Sequence, residues 1–163
     1  MRLSQITLAL FLSLATGMAV WSVEQTPGGE RGFVRINPTD IKWANVPTMP
    51  GLEAALLAGD PSKPGPYIMR VKFAPGVMTR PHKHSHDRFV TVISGTWYTG
   101  TGEKFEPEKT EGLPPGGFMK HPAMGAHYDG AKEGEVIVQI SGMGPVTTEY
   151  IVPADGLTNK RAK

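Results

Sequence analysis

The chain has 163 residues, with 17 Lys and Arg against 15 Asp and Glu and no cysteine. That length fits one domain, the near-balanced charge without a basic run points away from nucleic acid, and the missing thiols exclude disulfides and thiol chemistry. Twenty Gly and fifteen Pro, in a chain with few sustained helical patterns, favour short strands joined by turns.

Arg2, the apolar run Ile6 to Val20 and the small residues Ala15, Gly17 and Ala19 have the form of an export signal. The run is shorter than the roughly 20 residues a membrane-spanning helix needs. The expectation is a signal peptide over residues 1–19 and a periplasmic or secreted product with no stable membrane insertion after cleavage. Residues 20–40, with Pro27-Gly28-Gly29, read as a polar linker. Residues 41–153 are the expected domain, and 154–163 a polar tail.

Ile41 and Trp43 stand at strand spacing where the domain begins. Leu52 to Leu57, between Pro50-Gly51 and Gly59-Asp60-Pro61, reads as a short helix. Next, Tyr67, Met69, Val71 and Phe73 alternate with Ile68, Arg70 and Lys72, as in a half-buried strand. Met78 to His84, Phe89 to Ser94 and Thr96 to Tyr98 follow as strands. After a polar excursion come Gly116 to His121, Ala126 to Asp129, Val136 to Ser141 and Thr147 to Val152. Short strands separated by turn residues suggest a sandwich or barrel. Val71, Phe73, Val90, Val92, Val138 and Ile140 are its expected core, and Trp97, Tyr98, Phe118 and Met119 are expected in the core or a pocket wall.

Three of the five histidines stand at alternating positions in Pro81-His82-Lys83-His84-Ser85-His86-Asp87-Arg88. Residues two apart on a strand share a face, and neutral imidazole is the commonest protein metal ligand. His82 and His84 therefore point one way, and His127 arrives from a separate hairpin after the bend Pro122 to Gly125. Strand parity fails at Ser85-His86-Asp87, where the chain must reverse. His86 is then a loop histidine, a fourth ligand or a proton carrier at the mouth of the site. His121 precedes Pro122, which biases it towards extended backbone; it ranks below His86 as a ligand, and a hydrogen bond to a ligating histidine is its other role. Arg88 is either a rim partner of Asp87 or an inward fork of donors for a substrate carboxylate. Tyr128 should face away from His127.

The spacing Gly76-x5-His82-x-His84-x3-Arg88-x6-Gly95, followed by Gly116-x5-Pro122-x4-His127, resembles the two signature motifs of the cupin superfamily, the RmlC-like jelly rolls. Arg88 stands where the family usually has a metal-binding glutamate, Gly125 is displaced by one residue from the family's glycine, and Ala131 replaces the asparagine that ends the second motif. The ending Ile140-Ser141-Gly142-Met143-Gly144-Pro145 is most similar to the ChrR-like anti-sigma-factor cupin domains.

The resemblance implies an all-β double-stranded β-helix, a jelly-roll barrel, as a single domain after the signal. Cupins often dimerise, and the segment Asn37 to Pro66 is long enough to exchange strands in a homodimer. The resemblance also implies a divalent transition metal (Fe, Mn, Ni, Cu or Zn) on His82, His84 and His127, with open positions for a small-molecule substrate. Because three-histidine cupins are often oxygenases, it further implies a dioxygenase-like oxidoreductase, with Arg88 and His86 as candidate catalytic side chains. A non-catalytic metal- or ligand-binding module, a sensor or a store, is the alternative.

Overall fold

Two antiparallel sheets carry the chain in a computed structural model that describes residues 32–156. The expected signal peptide, most of the linker and most of the tail lie outside the described residues. From Ile36 onwards the described chain forms one unit. Among the described residues, no helix is long and apolar enough to cross a membrane.

The strands are β1 (Ala44–Asn45), β2 (Leu52–Ala58), β3 (Gly65–Phe73), β4 (His82–His84), β5 (Arg88–Ser94), β6 (Trp97–Thr101), β7 (Glu111–Leu113), β8 (Phe118–His121), β9 (His127–Gly130), β10 (Val136–Gly144) and β11 (Thr148–Tyr150). One sheet has the order β1-β2-β3-β10-β5-β8 and the other β11-β4-β9-β6-β7. This is the expected jelly roll.

The period-2 pattern of β3 becomes burial on one face: Tyr67, Val71 and Phe73 are buried, while Ile68 is 37% exposed. β10 lies between β3 and β5, so Val138 stands opposite both Val71 and Val92, and Ile140 opposite both Met69 and Val90. Directly opposed side chains share a face. The result is an apolar ridge across three strands, in which each fully buried side chain contributes about 1.5–3 kcal/mol. All six expected core residues are buried here.

Two local expectations are corrected. Leu52 to Leu57 is not a helix: it lies in β2, paired with β3 along its length and with β1 on its other edge. So short a segment makes too few intrahelical bonds to offset nucleation, whereas β3 offers a ready ladder. A register shift between Leu56 and Ala58 breaks the simple alternation that would have marked the strand. Phe118 is not core but 59% exposed. On β8 the inward parity belongs to Met119 and His121, which turns Phe118 outward to stack on Phe89, with ring centroids 6.4 Å apart. Trp97 is fully buried, Met119 packs on the core's edge, and Tyr98 is half-buried under the Lys132 ammonium.

Two turn positions are decided by backbone conformation. Gly95 has φ 76°, and a Cβ there would run into the Glu135 carbonyl oxygen. Met124 has φ 61°, a left-handed conformation that disfavours every side chain. It stands where the cupin motif has glycine, and its N–H donates to the His84 carbonyl at 2.8 Å, so the bend is held despite its residue. Met124→Gly should stabilise the protein by about 1 kcal/mol. Gly95→Ala should cost more than the about 1–2 kcal/mol expected for Gly76→Ala, where a Cβ meets open space. Urea denaturation of the three variants checks the order.

Candidate metal centre

β4 lies between β11 and β9, and its pairing gathers the site. His82 is opposite His127 on β9 and Tyr150 on β11, and His84 is opposite Thr148. These side chains consequently share the inner face of the sheet. In the other sheet Arg88, the first residue of β5, is opposite His121, the last of β8. One nitrogen from each of His82, His84 and His127 lies within 4.8 Å of the others, and all three residues are buried. His82 and His84 form part of the wall of a cavity of about 280 Å³ that also presents Arg88, Asp129, Phe73 and Ile140. A buried imidazole trio beside a cavity can hold a metal ion and leave coordination positions open.

Hydrogen bonds fix which nitrogens are available. Nδ1 of His82 donates to the Arg80 carbonyl at 2.7 Å, and Nδ1 of His127 to the Gly125 carbonyl at 2.9 Å. A carbonyl only accepts, so both rings keep a lone pair on Nε2, the arrangement of a ligating histidine oriented by its backbone. His84 differs. Its Nδ1 faces Arg88 Nη1 at 3.3 Å and Thr148 Oγ1 at 3.0 Å. Arginine only donates, so Nδ1 accepts and the ring proton sits on Nε2. Nε2 of His84 and Nε2 of His127 are both buried without a protein partner. The donor set thus fits a cation at His82 and His127 directly, and at His84 once Arg88 withdraws.

Arg88 does not pair with Asp87. The Asp87 carboxylate instead takes Lys120 Nζ at 2.7 Å and the Ala123 N–H at 2.7 Å. The guanidinium turns inwards, where its Nε is buried without a partner and burial lowers its pKa. His86 is exposed, shares a 2.9 Å hydrogen bond with Ser85 Oγ and borders an outer hollow with Phe89 and Met143. The structure does not bring His86 to the imidazole trio, because β4 ends at His84 and the turn reverses the side-chain direction.

Two further residues, His121 and Asp129, belong closely to the site. His121 is 1% exposed, and its ring centroid is 3.7 Å from that of His127. Asp129, also buried, accepts from Trp97 Nε1 at 3.4 Å and holds Oδ2 4.0 Å from His127 Nε2. Asp129 was legible, since it stands two residues beyond His127 on one strand. Tyr128, between them, turns the other way and donates its hydroxyl to the Glu106 carbonyl at 3.1 Å.

No family model matches the sequence, and no curated protein matches it. Solved structures do. The polyketide cyclase RemF from Streptomyces resistomycificus is similar at 18% identity and TM-score 0.56, over 78% of this chain and 99% of that one. A cupin-superfamily sugar phosphate isomerase from Silicibacter pomeroyi is similar at 17% and 0.55, over 72% and 81%. An RmlC-like cupin from Shewanella frigidimarina follows at 14% and 0.53, over 68% and 90%. The chain has the cupin fold, and proteins that share it include enzymes.

Burial lowers the pKa of all four inner histidines, holding His82 down to about 4 and His121 to about 2. Asp129 opposes the shift at His82 and His127. The folded rings are neutral, whereas unfolded ones take a proton near pH 6.5. Below that pH the unfolded chain binds more protons, so the unfolding free energy falls as pH falls, for His82 through the window from 6.5 to about 4. Chelator-treated protein should therefore show a lower urea midpoint at pH 5 than at pH 7.5, with about 2 kcal/mol lost at each of His82 and His121. His121→Phe should flatten the dependence; equal midpoints at both pH values would contradict the neutral, buried assignment.

Proposed function

We propose that this protein is a metal-dependent enzyme acting on a small organic molecule, in its finer form a dioxygenase-like oxidoreductase of the three-histidine kind. The observation that carries the reading is the position of His82 and His84 on the wall of a cavity that also presents Arg88 and an apolar lining. A bound Fe, Mn, Ni, Cu or Zn ion would supply Lewis-acid or redox chemistry there. His82, His84 and His127 would hold it, the first and last oriented by the Arg80 and Gly125 carbonyls. Arg88 presents a guanidinium to the same cavity. It favours a substrate carboxylate or other oxyanion, which would draw the fork of donors away from His84. Met69, Val71, Phe73, Val138 and Ile140 face the remainder of the substrate and keep water from it.

A second reading is metal-dependent chemistry without oxygen, supported by a cyclase and an isomerase among the similar structures. A metal- or ligand-holding module without turnover is the third reading, supported by the arginine at the glutamate position. The apolar opening supports export to the periplasm or medium.

Elemental analysis of tag-free protein is the first test, with about one transition metal per chain expected and loss of that metal in His127→Ala. Oxygen uptake with small carboxylic acids then separates the oxygenase from the other readings. Arg88→Met should tighten metal binding by roughly tenfold, equivalent to about 1.4 kcal/mol, because it removes a positive charge and releases His84 Nδ1 from the guanidinium, leaving it to donate to Thr148 Oγ1 while Nε2 carries the lone pair. Unchanged affinity in that variant would detach Arg88 from the centre.

A further inference from the structure

His121 has no evident role in the three-histidine set, and its surroundings are those of a ligand. Both of its ring nitrogens are buried and lack any protein partner. An unpartnered buried donor or acceptor costs about 1–3 kcal/mol, and a cation on one nitrogen would relieve that cost. The ring lies against His127, and one donor atom from each of His121, His127 and Asp129 lies within 4.8 Å of the others. All three residues are buried. None of these donors is committed to a guanidinium, whereas His84 is.

The geometry points to a second metal position, on His121, His127 and Asp129, which shares His127 with the three-histidine position so that a single ion can take either but two ions cannot bind at once. The sharing follows from His127 itself: Nδ1 is occupied by the Gly125 carbonyl, which leaves one lone pair, on Nε2. Charge favours the second position. Asp129 offsets one of the two charges of a divalent ion, while the first position offers three neutral rings, one of which, His84, is hydrogen-bonded to the Arg88 guanidinium. Two imidazoles and one carboxylate suit Fe(II), Mn(II), Co(II) and Zn(II).

Pairing explains how this arises. Positions 88 and 121 are directly opposed across β5 and β8. Where β5 carries an arginine in place of the usual cupin glutamate, the neighbouring strand brings a neutral donor to the same face, and Asp129 supplies the anion.

The inference rests on the metal-dependent reading, and Co(II) binding separates the two. Metal-stripped full-length protein is titrated with Co(II), with bound ion counted by equilibrium dialysis and its visible absorption recorded. Wild type should bind one Co(II) per chain. His84→Ala should still bind one, with less than about a tenfold loss, and adding Asp129→Asn or His121→Phe to it should weaken binding by at least roughly 100-fold. The absorption of His84→Ala should differ from that of Asp129→Asn, because different donors remain. Far-ultraviolet circular dichroism identifies any variant that has failed to fold, and the two alternative second substitutions guard against that outcome. If wild type takes no Co(II), the metal-dependent reading itself fails. If wild type binds but folded His84→Ala does not, the second position is overturned while the first stands; if the double variants bind as well as His84→Ala, the second position is overturned. Two Co(II) per wild-type chain would overturn the sharing of His127.

Discussion

Four imidazoles, a guanidinium and a carboxylate lie on the inner faces of an apolar jelly roll, and their need for partners shapes the site. Such groups are costly inside a protein unless each finds a partner. The Arg80 and Gly125 carbonyls satisfy one nitrogen each of His82 and His127, and Trp97 donates to Asp129. The nitrogens left over converge around His127, where a cation would complete them.

The barrel supplies the rigidity this arrangement requires. The ridge of Val71, Val138 and Val92 fixes the register of β3, β10 and β5, and β5 in turn places Arg88 opposite His121. A slip of one residue would turn every inward side chain outward. The Pro122 to Gly125 bend is held as firmly. The Met124 N–H binds the His84 carbonyl and the Ala123 N–H binds Asp87, so the bend that delivers His127 is tied to the segment that carries His82 and His84. Thr79 adds a clasp: its N–H and hydroxyl donate to the Asp129 carbonyl in turn with the Asp129 N–H donating to Thr79 Oγ1. Asp129 is thereby fixed by its backbone while its carboxylate faces the cavity.

Arg88 sets the chemical character of the centre. A glutamate in its place would be an anionic ligand; a guanidinium repels a cation and attracts an anion. With Nε unpartnered and Nη1 on His84, the arginine joins the cavity to a candidate metal ligand, so that on the proposed function an oxyanion in the cavity would act on both. The family likeness reaches the fold, whereas the contact of Arg88 with His84 belongs to the residues of this chain.

By itself the sequence determined the all-β class, the strand alternation from Tyr67 to Phe73, the core and the one-sided placement of His82 and His84. Those features are local, set by the period of two along a strand and by turn residues next to it. It also contained Asp129 at the parity of His127, a signal as local as the others. The strand nature of Leu52–Ala58, the outward turn of Phe118, the inward turn of Arg88 and the closeness of His121 to His127 were decided only by tertiary structure. Each depends on which strand lies alongside, and that pairing joins residues far apart in the chain: β2 is a strand because β3 has an open edge, and Arg88 meets His121 because β5 and β8 align. Neither a periodicity nor a motif encodes such a neighbour, because it follows from the closure of the whole barrel.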